Sequence, residues 1–152
     1  MVDYLKAREI LSGQDGDVII EWNGRIYDAK FIKKVFASVA KSKEPVKVLR
    51  KRGTQYRTNG WEGSGTLTYF MVSSVFREMA DFYNTTGEDP DFTMTVINKD
   101  PSGRLGSQKT ILYNCNLDEM VLANLDVDAP FLEEEVAFTF DDFDTPEKFN
   151  KL

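Results

Sequence analysis

Apolar and polar residues alternate with a period of two along much of this chain, as they do in β-strands that bury one face. Strands are therefore predicted at residues 18–22, 66–71, 92–97, 109–117 and 136–140. In the last of these segments Val136, Phe138 and Phe140 share one face, and Ala137 and Thr139 share the other. Most of the fold should be β-structure.

Turn-forming residues connect these segments. The Asn23–Gly24 step after the first segment is typical of a type I′ hairpin turn, because both residues tolerate a positive φ. The turn-rich stretch DPSGRLGS separates residues 92–97 from residues 109–117 and predicts a second hairpin. A further short extended piece is predicted at residues 121–127, before the break at Pro130.

One segment has the periodicity of an amphipathic helix instead. Its broad apolar face contains Val72, Val75, Phe76, Met79, Phe82 and Tyr83. Ser73 or Ser74 can cap its first turn by accepting a backbone N–H hydrogen bond, and Asn84 and Gly87 are suited to end it.

Residues 29–43 fit two patterns. A helical stripe would contain Ile32, Val35, Phe36 and Val39, whereas an alternating strand would place Val35, Ala37 and Val39 on one face. Periodicity alone slightly favours the helix.

Residues 45–65 are rich in Lys, Arg, Gly, Thr and Asn and offer little to bury. They predict a long exposed loop or a projecting hairpin, and such long excursions from a compact domain are usually functional. The 152-residue chain is the length of a single domain. The expected fold is thus a small, mainly β sandwich or barrel with one packed α-helix and a long projecting loop.

Composition narrows the possible chemistry. The sequence has no histidine, which removes the usual general base, the histidine-dependent nucleophile arrangements and the Cys/His zinc signatures. Its one cysteine, Cys115, lies in an apolar strand and is expected to be buried and inert. No apolar run approaches the ~20 residues of a membrane span, and the first residues lack the apolar stretch of a signal peptide, so no membrane anchor is expected.

Carboxylates are concentrated near the end of the sequence, at Glu133, Glu134, Glu135, Asp141, Asp142 and Asp144. They lack the glycine-turn spacing of a calcium loop, and a strand would point Glu134 away from its two neighbours. Paired acids can also hydrolyse sugars, but only when they face each other across a cleft. We therefore expect no metal, no cofactor and no catalytic residue, and interpret these acids as a solvated or interface surface.

Charge is distributed unevenly within a net charge of -6. Thirteen of the nineteen Lys and Arg residues lie at or before Arg57, whereas eleven acidic residues and only two lysines follow residue 117. Two unlike surfaces on one chain suit heterologous, head-to-tail association.

The basic loop permits a second interpretation. Residues 50–61 combine cations with Tyr56 and Trp61, as single-stranded nucleic-acid sites do. A nucleic-acid-binding β-barrel is thus the alternative function, although such modules are usually basic overall and this chain has a pI near 4.8.

The closing segment, residues 125–149, joins a β-patterned run to the carboxylates. Its core, LEEEVAFTFDDFDTPE, closely resembles the C-terminal strand and tail of tail tube proteins from contractile phage tails, in particular the PBSX-like prophage family. Further similar motifs, in the same order and spacing, are ILSG at 10–13, WNG at 22–24, GSGTLTYFMVSSVF at 63–76 and EDPDFT at 88–93. The resemblance covers roughly residues 11–149.

This resemblance implies a virion protein, assembled in the bacterial host cytoplasm, that forms stacked hexameric rings inside a sheath. It implies tail sheath, baseplate or initiator and tape measure proteins as partners, with DNA passing through the tube without specific binding. It also implies a strand at residues 29–43. An infectious phage, a silent prophage, a bacteriocin-like particle and a type VI apparatus remain open as the source.

The resemblance and the charge pattern together define the predicted regions and contacts. We expect an N-terminal arm (1–12), an exposed loop (45–65) and an acidic C-terminal tail (141–152). The candidate inter-subunit contacts are Arg50, Lys51, Arg52, Arg57, Trp61, Glu133, Glu134, Glu135, Asp141, Asp142 and Asp144.

Overall fold

The computed structural model describes residues 4–151, which form eight antiparallel β-strands and one α-helix. The strands are β1 (Asp17–Trp22), β2 (Arg25–Asp28), β3 (Ile32–Val46), β4 (Gln55–Phe70), β5 (Phe92–Lys99), β6 (Ser107–Leu117), β7 (Glu133–Phe140) and β8 (Asp142–Glu147). The helix α1 spans Val75–Thr86, and two short 3₁₀ turns lie at Ala7–Glu9 and Gly13–Asp15. The predicted mainly β fold with a single helix is confirmed.

The strands follow the order β2-β1-β5-β6-β7-β4-β3, and β8 pairs with β6. Strand β6 belongs to two layers because it pairs with β5 and β8 along most of its length and with β7 only at Asn116 and Leu117. We call β2, β1, β5, β6 and β8 the β1 layer, and β7, β4 and β3 the β4 layer. Together they form a small sandwich.

The core lies between the two layers. Its most deeply buried large side chains are Ile20, Leu67, Tyr69, Met79, Met94, Cys115 and Phe138. Helix α1 adds Val75, Phe76 and Met79 to this core, and the Phe76 ring centroid lies 4.7 Å from that of Tyr69. Burial of this apolar surface is what fixes the helix against the strands.

Helix α1 begins three residues later than its apolar stripe suggested. Ser73 Oγ accepts the Val75 backbone N–H at 3.4 Å, and Gly87, with a φ of 76°, ends the helix by donating to the Tyr83 carbonyl. Val72 lies before the helix and is exposed. The predicted glycine end is thus confirmed. Ser74 occupies the N-cap position without a side-chain cap hydrogen bond, and Val72 does not belong to the buried face.

Residues 32–46 form a strand, so the helical interpretation of residues 29–43 is wrong and the strand implied by the resemblance is right. Strand β3 pairs with β4 from Ile32 opposite Tyr69 to Val46 opposite Gln55. Because β3 lies at the edge of the sheet, its apolar residues are not confined to one buried face, which is why the pattern was ambiguous.

The predicted exposed segment 45–65 is mostly regular structure. Residues 55–65 belong to β4, and only residues 47–54 lack a strand partner. Every residue from 37 to 62 is exposed, so the outer parts of β3 and β4 form a two-stranded hairpin with solvent on both faces. We call residues 37–62 the ribbon.

The predicted acidic C-terminal tail needs correction. In the acidic C-terminal tail, residues 142–147 form β8, which pairs with β6 and is tied to it by the hydrogen bond from Ser107 Oγ to Glu147. The N-terminal arm contains one 3₁₀ turn, and its first three residues lie outside the described part. The predicted extended piece at residues 121–127 forms no strand and belongs to a loop, residues 118–132, between β6 and β7.

Candidate subunit interfaces

The ribbon carries an unpaired basic surface. It contains seven Lys and Arg residues against Glu44 and Glu62. In the described structure none of the predicted contacts Arg50, Lys51, Arg52 and Arg57 forms a salt bridge. These cations are therefore available to a partner.

Exposed apolar side chains accompany those cations. The solvent-exposed fraction is 94% for Leu49 and 66% for Tyr56, and Val39, Val46 and Val48 are also exposed. At about 3.3 Å per residue, the eight residues from Gln55 to Glu62 reach roughly 26 Å. A two-stranded hairpin of this kind is only marginally stable in water without a partner. The ribbon therefore has the composition of a protein-binding surface.

Trp61 anchors the base of the ribbon to its own subunit. Its ring centroid lies 5.4 Å from that of Phe143 and 6.1 Å from that of Phe140. As an inter-subunit contact it can offer only the part of the ring that these neighbours leave exposed. Its ring is also a poor platform for a nucleic-acid base, which weakens the nucleic-acid interpretation of residues 50–61.

Among the predicted inter-subunit contacts, Glu134 is the one that the structure contradicts most clearly. Its side chain is buried and accepts two hydrogen bonds from the Arg77 guanidinium, at 2.6 and 3.0 Å, and one from the Tyr69 hydroxyl at 2.6 Å. The hydrogen bonds from Arg77 hold the pKa of Glu134 below its usual value despite burial. Glu134 therefore attaches α1 to β7 within one subunit and cannot reach a neighbour.

The other predicted acids lie in two separate places. On β7, Glu133 pairs with Lys33 at 2.8 Å, and Glu135 is exposed. The predicted opposite orientation of Glu134 relative to its neighbours is confirmed.

Asp141, Asp142 and Asp144 lie beyond the other end of β7. Asp141 accepts two hydrogen bonds from the Asn114 amide, and Asp142 and Asp144 each accept the backbone N–H of the following residue. Within residues 4–151, no group of three or more acids or cysteines is arranged to hold a metal ion. The predicted carboxylate surface is thus divided between the two ends of β7.

An open cleft of about 540 Å³ lies between the start of β1, the end of β5 and the start of β3. Its two carboxylates are Asp17, which pairs with Lys99, and Asp28, which lies 3.8 Å from Lys30. Acid and base catalysis by two carboxylates needs a shared, water-excluded position with separated pKa values. These exposed, lysine-paired groups do not provide one.

The exposed face of the β4 layer is lined by small polar residues. Register and burial place Ser38, Ser64, Thr66, Thr68 and Thr139 on this face, with Glu135 and Ala137. Lys34 and Phe36, on edge strand β3, also belong to it, as do Phe70 and Glu133 by the same register.

Three strand edges and one loop complete the candidate interfaces. In the described part of the chain β2, β3 and β8 each pair with only one strand, so each has an edge without a strand partner. The loop 118–132 exposes four large apolar residues: Leu122, Leu125, Val127 and Phe131. The first three lie in the extended piece predicted at residues 121–127. Leu125 and Val127 alternate with Asn124, Asp126 and Asp128 as they would in a strand, so the local pattern does not distinguish this loop from one. In residues 4–151 no helix is long and apolar enough to cross a membrane.

Comparison with known proteins agrees with this fold. The family model described as phage tail tube protein matches residues 3–147. The phage-like element PBSX protein XkdM of Bacillus subtilis strain 168 is 38% identical over 146 residues, which cover 96% of this chain and 97% of that protein.

Solved structures show the same architecture at low sequence identity. A chain in the anti-feeding prophage tube-terminating cap superposes with a TM-score of 0.67 at 6% identity, covering 94% of this chain and 95% of that chain. A chain from the sheath/tube terminator of an extracellular contractile injection system gives 0.61 at 10% identity, covering 86% and 93%. This chain therefore shares its fold with chains in those two assemblies.

The family match confirms the predicted resemblance and the prediction of a structural tail protein rather than an enzyme. With its two-layer fold, its projecting ribbon and a match along nearly its whole length, the chain belongs to the phage tail tube protein family.

Proposed function

We propose that this protein assembles into hexameric rings that stack to form the inner tube of a contractile tail, a passive conduit for DNA. The observation that carries the proposal is the ribbon, whose residues 37–62 are all exposed although many are large and apolar. The six-fold number comes from the resemblance to contractile tail tubes. The head-to-tail arrangement follows from the unlike surfaces of the subunit.

Ring closure uses two of the open strand edges, those of β2 and β3. An unpaired edge is a template for another strand, and β2 and β3 present two different edges on one subunit. Joining unlike edges is a heterologous contact, which closes into a ring when the rotation between subunits fits. Backbone hydrogen bonds and apolar burial supply most of the stabilisation, and charge fixes the orientation.

Stacking uses the ribbon. A ribbon with solvent on both faces gains little from its own subunit, so it becomes stably ordered when a second subunit covers it. A subunit of this kind remains unpolymerised until a nucleating complex presents the first surface. We accordingly propose that a baseplate or initiator complex starts the tube in the bacterial cytoplasm, with sheath and tape measure proteins as further partners.

The bore is lined by the exposed face of the β4 layer. DNA carries one negative charge per ~1.7 Å of its axis, so a lysine-rich wall would bind it and slow its passage. Ser64, Thr66 and Thr139 carry no charge, and Lys33 pairs with Glu133. The further lysine on this face, Lys34, is offset in net charge by Glu135, so the face has no net positive charge. DNA can therefore slide past this face without specific binding.

Reversing the basic charges at the ribbon tip tests its role in assembly. We expect the triple substitution Arg50→Glu, Lys51→Glu and Arg52→Glu to reduce tube formation about tenfold or more, because like charges placed together at an interface cost several kcal/mol. Pelleting by ultracentrifugation at physiological salt, followed by negative-stain microscopy, measures the effect.

A matched control makes the same change in charge elsewhere. Arg8, Lys148 and Lys151 are exposed and lie outside the ribbon, and their replacement by glutamate should leave tube yield within about twofold of wild type. Equal assembly by the ribbon variant and the wild type would refute this role for the ribbon.

A further inference from the structure

The loop 118–132 has features of a binding surface that the predicted contacts do not include. Leu125 and Val127 are 94% and 95% exposed, and Leu122 and Phe131 are exposed as well. Single exposed apolar residues are ordinary, but several on one short loop form a patch of the kind that marks an interaction site. All of the loop's charged residues are acidic: Asp118, Glu119, Asp126 and Asp128.

This loop is held in place rather than frayed. The Asn124 amide donates to the Glu133 carbonyl at 3.3 Å, the Met71 N–H donates to the Leu132 carbonyl at 3.0 Å, and the Asp128 N–H donates to the Asp126 carboxylate at 3.0 Å. Met120 and Val121 fill the loop's inner side against the core. Leu122, Leu125 and Val127 therefore remain outside the core of their own subunit and are available to a partner.

The ribbon complements this loop in charge and polarity. Each surface has an apolar centre, around Leu49 on the ribbon and Leu125 on the loop, and each is flanked by charges of one predominant sign. In the described residues, neither the basic residues of the ribbon nor the acids of the loop form an internal salt bridge. An apolar centre with complementary charges around it is the usual anatomy of a specific interface.

The strand register places the ribbon and the later part of the loop 118–132, from Asn124 onward, at opposite ends of β7. The ribbon continues β4 beyond Gly63, which pairs with Phe140 at the end of β7. The loop leads into Glu133, which pairs with Phe70 at the start of β7. The eight residues of β7 span about 26 Å. The surfaces are thus separated along the strand direction within one subunit, but meet when a second copy is placed end to end with the first.

We infer that the ribbon of one copy docks on the loop 118–132 of the next copy along the tube axis, with Leu49 packing near Leu125 and the basic residues facing the loop's acids. The inference rests on the proposed function and names the surface that receives the ribbon. It moves the acidic half of the contact away from Asp141 and from Asp142 and Asp144 of β8, whose carboxylates bond to neighbouring groups in their own subunit.

A cysteine pair tests this contact directly. In the variant Leu49→Cys with Leu125→Cys, treatment of assembled protein with a short flexible bis-maleimide should produce a ladder of dimers, trimers and longer covalent chains on denaturing gels. A ladder requires each subunit to be linked at both ends. The native Cys115 is 0% exposed, and burial raises the pKa of its thiol to about 12, so it does not contribute.

A control pair separates a specific contact from random linkage. Tyr83, on α1, is exposed to 46% and lies outside the proposed interfaces, and the variant Leu49→Cys with Tyr83→Cys should give no ladder. Each single-cysteine variant can give at most a dimer. Circular dichroism of all variants checks that these exposed substitutions leave the fold unchanged.

The possible outcomes distinguish the docking contact from the proposed tube function. Tubes that form without a Leu49 to Leu125 ladder, or with an equal ladder from the control pair, would overturn the docking inference and leave the tube function intact. A specific ladder in material that never forms tubes would support the docking contact and overturn the function. The absence of both tubes and a ladder, even with the initiator complex and the other tail components present, would overturn both.

Discussion

The substitution Glu134→Ala should lower the free energy of unfolding of the subunit by about 3 kcal/mol, because removing one partner of a buried ion pair leaves the other without compensation. The Glu134 side chain is only 1% exposed and satisfies both the Arg77 guanidinium and the Tyr69 hydroxyl. Its loss would leave these groups unpaired at the junction of α1 and β7. Equilibrium unfolding in urea, monitored by circular dichroism, measures the change.

The adjacent glutamate provides the control for this prediction. Glu135 is exposed and makes no ion pair in the described structure, so Glu135→Ala should change the free energy of unfolding by no more than about 0.5 kcal/mol. Similar stabilities for the two variants would show that the Glu134 network does not hold the helix.

Lowering the pH should remove the stabilisation of the folded state that ionised Glu134 provides. The folded-state pKa of Glu134 lies below its usual value of 4.5, so its ionised form stabilises the fold above that value. The stabilisation is lost as the pH falls through the lower folded-state pKa. The difference between wild type and Glu134→Ala should therefore be largest near neutral pH and should narrow in acid.

Gly65→Ala should destabilise the subunit by at least about 2 kcal/mol and impair tube assembly as well. A Cβ atom at this position would lie 2.1 Å from the Phe36 carbonyl oxygen and 2.8 Å from the Phe138 ring. The backbone of β3 would have to move away from β4 at the place where the ribbon leaves the sandwich. Thermal unfolding and pelleting of assembled tubes measure the two effects.

Gly53 supplies the matched control because it lies between β3 and β4 in open space. The Cβ of Gly53→Ala would meet only the end of the Lys51 side chain, at 3.9 Å, and stability should be unchanged within about 0.5 kcal/mol. A Gly65→Ala variant as stable as Gly53→Ala would mean that the close approach of β3 to β4 is not required.

The buried strands could be predicted from sequence because each has one face in the core and the other in solvent. Along β7, burial alternates, with Val136, Phe138 and Phe140 inside, so a period of two is visible in the residues themselves. The terminal strand and the GSGTLTYF segment also carried the family resemblance. Where one face of an element packs on the core, local pattern and global fold agree.

The edge strand and the ribbon were harder to predict for the same physical reason. Residues such as Phe36 and Val39 of β3 are exposed, so no core imposes a period on them. Their conformation is set by backbone pairing with β4, about 30 residues away in sequence, which local periodicity does not report. A resemblance to known tail tubes supplied what the pattern lacked.

The roles of individual acids could not be predicted either. Sequence shows that Glu134 points away from Glu133 and Glu135, but not that Arg77 of α1 and Tyr69 of β4 meet it there. That meeting depends on how the helix packs on the sheet. The exposed leucines of the loop 118–132 were misassigned because an apolar run does not show whether its partner lies in the same chain or in another one.

A helical reconstruction of assembled tubes by electron cryomicroscopy tests the central claim most directly. We expect rings of six subunits joined head to tail, with ribbons reaching the adjacent ring. We expect the hydroxyl face of Ser64, Thr66 and Thr139 to line the bore. Compact monomers or two-fold pairs under every condition, including with the other tail components present, or a bore lined by lysine and arginine, would contradict it.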